Sequence, residues 1–580
     1  MRAMLMLLLF LVLAASLTNS LTLNFFNRVS HRPFQLQSTS LSSDREIKGQ
    51  SVRPWEKEAW FNGWTTCKNE TASVLEGSVP TDIEGTYFRN GHAKFEVNKD
   101  LVMHPFDADG MVTAISMKDG KATFRNRFVR TKGYVREKKE RKILYRGAFG
   151  TGKSGGFLSN IFDVKIKNVA NTNVIYWGDK LLALWEGGLP HRMEADSLRT
   201  LGEYRFKGLL DKKKGDTFSA HPRVDSTSGN LVNFGTNQGV RSAEISVYEF
   251  DKDYKVVKTR KFEVPGFVFF HDFIVTENYY IFNKAPIKFD PIPFLLGFVG
   301  PAECIEFDKT SPAQLYLIPR DGVSPVKTIN VDSHFNFHFA NAYEDSNKQI
   351  TFDVVWCDNM QLGRNEEKKL QVWKFIDYAR DVPYSTLVRY VLTPPSGGGS
   401  DWTFEKKSLS PTQLDFPTVN PKVSCAKHRY VYAASGSDNS KSTPVQGVIK
   451  LDTETGNQWQ WLPEPYEFLG ESVFVGKEGS TSEDDGYLMT FLFNGHSSIS
   501  EFVIFDAKDI EKGPISRQAC PTKVPFGLHG SFANKLTFDP ETAIRKHKAC
   551  VTLDNKNWGS LGSGFSGLGI AYEFDNNTML

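Results

Sequence analysis

Short runs of apolar and β-branched residues, broken by turn residues, recur along the chain from about residue 55. The run Asn173–Trp177 ends at Gly178-Asp179, and the run 181–185 ends at Glu186-Gly187-Gly188. Short strands with turn signals at this density are typical of a sandwich, a barrel or a propeller. Long amphipathic helical patterns are scarce and no clean internal repeat is present. The pattern alone therefore predicts an all-β fold without choosing how it closes.

Four histidines lie in or beside such runs: His221, His271, His338 and His529. A buried imidazole needs partners for its ring nitrogens, and for a single histidine a backbone carbonyl is the ordinary partner. The intervals of 50, 67 and 191 residues between the four do not match any short-range metal motif. A closed, circular fold would be able to bring them together. Imidazole suits zinc, copper, iron and nickel alike, so the residues alone indicate a metal without naming it.

The four sequence segments that contain these histidines, in this order, resemble those of the carotenoid cleavage oxygenase family. Residues 80–91 with 106–111, and the acidic turn at 482–487, also resemble family signatures, and the resemblance covers roughly residues 51–535. It implies a seven-bladed β-propeller with a cap of loops and helices over an axial metal site. It also implies that the four histidines hold one iron(II) ion, Fe(2+), per subunit.

The resemblance further implies a dioxygenase, with dioxygen as co-substrate, that cleaves a conjugated double bond of a carotenoid or apocarotenoid to carbonyl products. The expected partner is a lipophilic polyene, and no catalytic residue beyond the metal centre is needed, because metal and dioxygen carry the chemistry. Two alternatives stay open. One is an isomerase, or a stilbene-type alkene cleavage, at the same iron site. The other is a non-catalytic secreted β-propeller binding module.

Carboxylates are the next expectation, because metal-bound histidines usually donate their second N–H to a carboxylate, carbonyl or water. The family uses three glutamates for this, and Glu186 and Glu471 match two of their positions. The third position holds Asp415, which is one methylene shorter. Either the strand shifts or a water bridges the gap.

Composition and charge add limits. The 580 residues are 40% hydrophobic and 24% charged, and the net charge of +3 gives no nucleic-acid footprint. The 45 phenylalanines either fill a large core or line a long apolar tunnel. Six cysteines without a CxxC pair predict scattered thiols rather than a disulfide scaffold.

Residues 147–154 fit the phosphate-loop pattern GxxxxGK[ST]. That loop needs a helix behind it, whose first amides hold the phosphates. Here Gly155 and Gly156 follow, and glycine costs about 1 kcal/mol in a helix. We expect a surface loop and no nucleotide.

The amino terminus predicts targeting rather than structure. Residues 1–20 have the charged start and apolar core of a signal peptide. Residues 21–50 form a transit-like leader or linker, with no acid before Asp44. The remaining residues, 51–580, are predicted to form a single β-propeller oxygenase domain. This order predicts delivery to a plastid through the secretory route; a secreted or endomembrane protein is the alternative.

Residues 291–300 contain no charge and are rich in Phe and Leu. Pro291 and Pro293 argue against a central strand, although a core segment remains one alternative. The other is an exposed apolar patch, which marks an interaction or membrane surface. Members of the family draw lipid-soluble substrates from membranes through such a patch. We therefore expect peripheral membrane contact through the apolar side chains Phe294, Leu295, Leu296 and Phe298.

Overall fold

Seven antiparallel sheets, each of four or five strands, form the blades of a β-propeller in the computed structural model. The structure describes residues 55–362, 371–374, 376–395 and 401–556. The all-β, seven-bladed propeller implied by the resemblance is confirmed. The predicted signal peptide (residues 1–20) and leader (residues 21–50) lie outside the described residues.

The strands are numbered in chain order and the blades follow the same order. Blade 1 contains β1 (Ala72–Val74), β2 (Gly85–Lys94), β5 (Asp109–Lys118), β6 (Lys121–Phe128) and β34 (Gly527–Asn534), with the small ribbon β3 (Glu96–Val97) and β4 (Asp100–Leu101) after β2. Blade 2 contains β7 (Asn173–Trp177), β8 (Lys180–Leu184), β9 (His191–Met193) and β10 (Thr200–Glu203). Blade 3 contains β11 (Arg223–Val224), β12 (Leu231–Gln238), β13 (Ser242–Phe250) and β14 (Val256–Pro265).

The other four blades continue in the same way. Blade 4 contains β15 (Ile274–Val275), β16 (Tyr279–Lys284), β19 (Ala313–Pro319) and β20 (Lys327–Val331), with the ribbon β17 (Ile287–Phe289) and β18 (Ile305–Phe307) between β16 and β19. Blade 5 contains β21 (Phe339–Glu344), β22 (Ile350–Cys357), β23 (Ser385–Thr393) and β24 (Thr403–Ser410). Blade 6 contains β25 (Leu414–Thr418), β26 (Tyr430–Ser435), β27 (Gly447–Asp452) and β28 (Gln458–Trp461). Blade 7 contains β29 (Glu467–Leu469), β30 (Val473–Gly476), β31 (Gly486–Asn494), β32 (Ile499–Asp506) and β33 (Ser516–Ala519).

The ring closes through strands from opposite ends of the chain. Strand β34 pairs antiparallel with β2, with Tyr87 opposite Phe532 and Arg89 opposite Gly530. Blade 1 therefore takes its last strand from the carboxyl-terminal part of the protein. A closed ring leaves no blade without a neighbour, which limits exposed sheet edges.

Aromatic side chains fill the spaces between neighbouring blades. Phe234, Phe273 and Phe282 are buried together between blades 3 and 4, and Tyr87 and Phe502 are buried between blades 1 and 7. Burying one such side chain contributes about 1.5–3 kcal/mol. Part of the high phenylalanine content is therefore core, and another part lines cavities described below.

Helices are few and short in the described part of the chain. The α-helices are α1 (Lys57–Gly63), α2 (Lys132–Glu140), α3 (Ile292–Leu295), α4 (Tyr378–Asp381) and α5 (Pro540–Lys556). The short 3-10 helices are Pro105–Asp107, Phe157–Ser159, Lys212–Lys214, Pro301–Cys304, Val372–Lys374, Pro421–Val423 and Ile510–Lys512. Of the helices in these described ranges, none has the length and apolar character needed to cross a membrane. The helix α5 docks on blade 1, where His547 Nε2 donates to the Asn126 carbonyl at 2.9 Å.

Candidate metal centre

Four imidazoles converge on the propeller axis. His221, His271, His338 and His529 each present one nitrogen, and these nitrogens all lie within 4.8 Å of one another in a buried position. His221 Nε2 and His271 Nε2 are 2.9 Å apart. Two imidazole nitrogens that bind one metal at about 2.1 Å each lie about 3 Å apart when they are adjacent ligands. The spacing therefore fits a metal between them.

Each blade contributes one side chain to this centre. His221, His271 and His338 lie one to three residues before the first strands of blades 3, 4 and 5, and His529 lies in the closing strand β34 of blade 1. The other three blades supply the carboxylates Glu186 (blade 2), Asp415 (blade 6) and Glu471 (blade 7).

These carboxylates accept hydrogen bonds from three of the four histidines. His338 Nδ1 donates to Asp415 Oδ1 at 2.6 Å, and His529 Nδ1 donates to Glu471 Oε1 at 2.7 Å. His271 Nδ1 is hydrogen-bonded to Glu186 Oε2. Because an ionised carboxylate only accepts, each of the three imidazoles carries its proton on Nδ1. Its Nε2 lone pair is then free to bind a cation.

Asp415 reaches its histidine directly, and the backbone explains how a shorter side chain does so. The pairing of β25 with β26 shifts register between Asp415 and Thr418, and Phe416 adopts a positive φ of 55°. A register shift of this kind re-aims side chains, and positive φ is costly for an aromatic residue. Asp415 thus reaches His338 without the bridging water that was one of the two alternatives left open by the sequence.

Several Nε2 atoms at the axis have no protein acceptor or donor. His338 Nε2 and His529 Nε2 are fully buried and have no hydrogen-bond partner among the described residues. His221 Nε2 faces only the Nε2 of His271, which already carries its proton on Nδ1. Buried polar atoms without partners are unfavourable, so this arrangement calls for a cation that accepts the lone pairs. The donor set thus fits a divalent transition metal.

Burial favours the neutral imidazoles that a metal needs, although the charge of Glu186 opposes it at His271. Burial, together with the neighbouring imidazoles, lowers the pKa of His221 and of His529 well below the ordinary value. Burial acts in the same direction on His271, but the charge and hydrogen bond of Glu186 outweigh it and raise the pKa of His271. Burial opposes ionisation of Asp415, yet His338 holds the pKa of that carboxyl below its usual range.

Comparison with known proteins agrees with this geometry. Residues 60–534 match the family described as Retinal pigment epithelial membrane protein. The chain is 36% identical over 493 residues to apocarotenoid-15,15'-oxygenase of Synechocystis, covering 83% of this chain and 98% of that protein. The chain belongs to this family. Its fold also matches the crystal structure of cobalt-substituted Synechocystis ACO, with a TM-score of 0.78, 36% identity and coverage of 83% of this chain and all of that one.

More distant relatives extend the same family of carotenoid oxygenases. Carotenoid cleavage oxygenase 1 of Neurospora crassa is 29% identical over 530 residues, covering 86% of this chain and 93% of that protein. The membership expected from the four histidine segments is therefore confirmed.

Arg89 supports the centre of this oxygenase, and its role is not evident from the sequence. Its Nη1 donates to the Glu471 carbonyl at 2.9 Å and contacts Glu471 Oε2 at 3.3 Å. Gly530 N donates to the same carboxylate oxygen at 2.8 Å. Burial raises the pKa of Glu471 to about 7, although Arg89 and Gly530 act in the opposite direction. Arg89 and Gly530 therefore fix the carboxylate that orients His529.

A second ion pair ties three ligand segments together. Arg223 Nη2 lies 2.5 Å from Asp272 Oδ2 and donates to the Phe339 carbonyl at 2.9 Å, while Phe339 N donates to Asp272 Oδ2 at 2.8 Å. These residues lie one or two positions after His221, His271 and His338. The sequence offers one indication of this pair: a charged residue lies next to a histidine within an apolar run. An unpaired charge in such a buried run is costly, so a partner of opposite charge is expected.

Two cavities with common walls lie beside the centre. The smaller one, of about 140 Å³, is bounded by His271, His338 and His529. The larger one, of about 310 Å³, is lined by cap residues, among them Trp60 of α1 and Trp64, which directly follows that helix. Both cavities share five lining residues, of which Asp415 is charged and the other four are apolar: Phe106, Phe337, Phe416 and Leu528. The space beside the metal centre is therefore apolar and aromatic, as a polyene requires.

The segment 291–300 is only partly exposed. Phe294 is 8% exposed, and the Arg146 guanidinium lies 4.1 Å from the centre of its ring, so the prediction that Phe294 contacts a membrane was wrong. It turns inward because the cation–π contact and the core bury it. Leu295 and Leu296 are half-buried. Phe298 is 52% exposed, and so is Ile292, which the sequence did not single out.

Arg146 joins this segment to a neighbouring loop. Its Nη1 donates to the carbonyls of Phe294 at 2.9 Å and Asp163 at 2.8 Å, and Phe162 N donates to the Leu295 carbonyl at 2.8 Å. We call the resulting exposed surface the apolar rim; its exposed members are Leu158, Phe162, Val164, Ile292 and Phe298.

The loop 147–154 binds a carboxylate of its own chain. Phe149 N and Thr151 N donate to the two oxygens of Asp107, at 3.0 and 3.1 Å. The next element is the 3-10 turn Phe157–Ser159. The loop also carries Phe149 into the wall of the smaller cavity, and Ala148 accepts a hydrogen bond from Ala302 N at 2.9 Å. The loop thus contacts both the smaller cavity and the chain that follows segment 291–300.

Proposed function

We propose that the protein is an iron(II)-dependent dioxygenase that cleaves a conjugated double bond of a carotenoid or apocarotenoid into two carbonyl products. The observation that carries this proposal is the four-histidine centre with three carboxylate partners, opening into an apolar cavity. The family relatives include an apocarotenoid oxygenase and a carotenoid cleavage oxygenase. Iron at this centre would activate dioxygen, the co-substrate.

In this proposal His221, His271, His338 and His529 hold the iron. Glu186, Asp415 and Glu471 orient three of them and, through the imidazoles, offset the charge of the metal, which four neutral ligands leave uncompensated. The aromatic walls exclude water and hold the polyene flat beside the centre. No side chain of the described cavity is needed as a general base.

The test is product analysis. The iron-loaded protein is incubated under air with a panel of carotenes, oxygenated carotenoids, apocarotenals and stilbenes, and the products are identified by mass. We expect paired aldehydes or ketones whose carbon numbers add up to that of the substrate. A product with unchanged carbon number would show an isomerase. Absence of bound metal in the purified protein would favour the binding-module alternative.

Stilbene cleavage is the second candidate, because two relatives carry that activity in their names. Resveratrol cleavage oxygenase 1 of Aspergillus fumigatus is 28% identical over 485 residues, and lignostilbene-alpha,beta-dioxygenase isozyme III of Sphingomonas paucimobilis is 27% identical over 489 residues. Selective turnover of the stilbenes in the panel would favour this candidate.

We also propose that the apolar rim rests on a membrane surface and admits lipid-dissolved substrate. Its five exposed apolar side chains come from two adjoining segments held by Arg146. Clustered apolar residues on a surface mark an interaction site. The loop that carries Phe149 contacts both the smaller cavity and the chain that follows segment 291–300.

For localisation, we propose delivery to a plastid through a signal peptide and the following leader. The support is the composition of residues 1–50 alone.

A further inference from the structure

His92 is a buried histidine that the metal centre does not use. It lies in strand β2, is 1% exposed and borders the smaller cavity together with His271, His338 and His529. Its ring also lies 5.3 Å from that of Phe106, a wall shared by both cavities. It is therefore placed beside the space where substrate and metal meet.

The neighbouring Asn171 fixes which nitrogen of His92 carries the proton. Asn171 Nδ2 donates to the carbonyls of Phe106 at 3.0 Å and Ala108 at 2.7 Å, and its Oδ1 accepts from Thr172 Oγ1 at 3.1 Å. These three bonds set the orientation of the amide. The same Nδ2 lies 3.1 Å from His92 Nδ1. Both hydrogens of this amide nitrogen are already directed at the two carbonyls and the nitrogen cannot accept, so a proton on His92 Nδ1 would have no acceptor there. His92 Nδ1 must offer a lone pair, so the proton of the neutral ring is on Nε2.

His92 Nε2–H has no acceptor of its own. It is buried and has no hydrogen-bond partner among the described residues. Burial, with the nearby His104 and His529, lowers the pKa of His92 to about 3, so the ring is neutral. A buried donor without an acceptor is unfavourable and is rare in native structures, so this N–H calls for a partner that the protein itself does not supply.

We propose that His92 Nε2–H donates a hydrogen bond to a carbonyl oxygen of the polyene in the smaller cavity. The inference rests on the proposed function and specifies it. Cleavage of C=C by dioxygen places one oxygen atom on each of the two former alkene carbons, and these carbons lie beside the metal. A hydrocarbon offers no acceptor to His92, whereas an aldehyde or ketone does. His92 is thus a positioning residue that favours oxygenated polyenes and retains the carbonyl product.

His104 provides a matched control. Its ring centre also lies close to that of Phe106, at 4.9 Å, but His104 borders the larger cavity instead. Its Nδ1 accepts from Phe106 N at 3.1 Å, and its ring also hydrogen-bonds to the backbone of Leu362. Because its nitrogens are engaged, His104 has no donor to offer a ligand.

The experiment compares the iron-loaded wild type with His92→Phe, His92→Gln and His104→Phe without oxygen, so that no turnover occurs. The probes are an apocarotenal and a hydrocarbon polyene of equal conjugation length. Binding is followed by quenching of tryptophan fluorescence, and the carbonyl stretch of the bound aldehyde is followed by vibrational spectroscopy.

We expect His92→Phe to bind the aldehyde about tenfold more weakly, equivalent to about 1.4 kcal/mol. The hydrocarbon should change less than about twofold. The carbonyl frequency should rise in His92→Phe and stay low in wild type, His104→Phe and His92→Gln, whose amide N–H replaces Nε2–H. Iron content and circular dichroism show whether each variant is folded. If His92→Phe does not fold, the carbonyl frequency is compared between wild type and His92→Gln.

Equal aldehyde frequencies in wild type and His92→Phe would overturn the inference while leaving the oxygenase assignment intact. So would a His92→Gln variant that binds iron normally but shows the frequency of free aldehyde. Failure of the wild type to bind either polyene would instead overturn the proposed function, and the inference with it.

Discussion

Asp415 Oδ1 accepts the Nδ1 proton of His338 at 2.6 Å, and the same oxygen accepts the amide of Phe416 at 2.7 Å. The backbone of its own strand therefore holds the carboxylate in place, and the carboxylate in turn orients the imidazole of His338. Its position depends on the register shift in β25 and on the positive φ of Phe416.

This relationship predicts the effect of Asp415 variants. Asp415→Asn removes the negative charge that supports His338 and should lower iron affinity or activity by about 10–100-fold. Asp415→Glu should be no better, because the shifted strand already brings the shorter side chain into contact. Iron retention against a chelator measures both. A Glu variant that binds iron more tightly than wild type would contradict this account of β25.

Removal of one ligand imidazole should remove the metal. His→Ala at 221, 271, 338 or 529 deletes one bond and opens a position to water, so iron and activity should fall together while circular dichroism stays unchanged. His496 is the cleanest control, because its side chain is 56% exposed and pairs with Glu56 at the surface. Full iron occupancy in His271→Ala, measured by elemental analysis, would refute the assignment.

The apolar rim predicts a matched pair of surface variants. Ile292→Ser should weaken liposome binding, because it removes an exposed apolar contact from the rim. Ile515, just before β33, is also 52% exposed, so Ile515→Ser tests the same substitution outside the rim. Flotation with liposomes measures binding, and equal binding by both variants would argue against a membrane role.

Arg146 offers a second approach to the same surface. Arg146→Met should loosen the two rim segments, because carbonyls at both ends of segment 294–299 accept from its guanidinium. Turnover of substrate in liposomes should fall more than turnover in detergent, with iron content unchanged. An equal loss in both assays would point to a general folding defect.

The buried carboxylate Asp353 predicts a pH effect on stability. It accepts from Arg389 at 2.7 and 2.8 Å and from His428 at 2.8 Å. Burial opposes its ionisation, but these donors hold the pKa of Asp353 below its usual value. Ionised Asp353 therefore contributes fully to the free energy of unfolding above pH 3.9, which is about the pKa of an aspartate in the unfolded chain. This contribution is lost as the pH falls through the lower pKa that Asp353 has in the folded protein.

Asp353→Asn should accordingly destabilise the protein by about 3–5 kcal/mol at neutral pH, since it removes the counter-charge of Arg389, whose side chain is only 13% exposed. The difference from wild type in urea unfolding should shrink below about pH 4. Glu244→Gln, which breaks an exposed pair with Lys261, serves as the control with an effect below about 1 kcal/mol. A difference that is constant from pH 3 to 7 would contradict the proposed titration.

The targeting prediction concerns residues 1–50. We expect them to be absent from the mature protein, because they read as a signal and an acid-poor leader. Amino-terminal sequencing of protein from its native source decides this. A mature chain that begins at Met1 would end the plastid proposal.

The sequence was most informative where one residue type recurs in apolar surroundings. His221, His271, His338 and His529 could be selected in this way, and the resemblance then supplied the propeller that joins them. Sequence could not predict that Asp415 reaches His338, because the register of β25 depends on how blade 6 packs. Nor could it predict the burial of Phe294, whose partner Arg146 is distant in sequence and becomes a neighbour only after folding.

The unpartnered Nε2–H of His92 marks a further limit. A histidine in the strand Gly85–Lys94 looks like an ordinary core residue, and its sequence matches no ligand motif. Its tautomer follows only from the three bonds of Asn171, which bring together residues from separate parts of the chain. Sequence patterns cannot predict such an arrangement.

The pairing of β2 with β34 has a consequence for how the protein is made. During synthesis the amino-terminal strands of blade 1 leave the ribosome first, and the strand that completes their blade leaves among the last. Until then His529 is missing from the axis, and Glu471 has no histidine to orient. A truncated or unfinished chain therefore cannot assemble the full ligand set. A metal that needs all four histidines would thus be bound only after β34 has closed the ring.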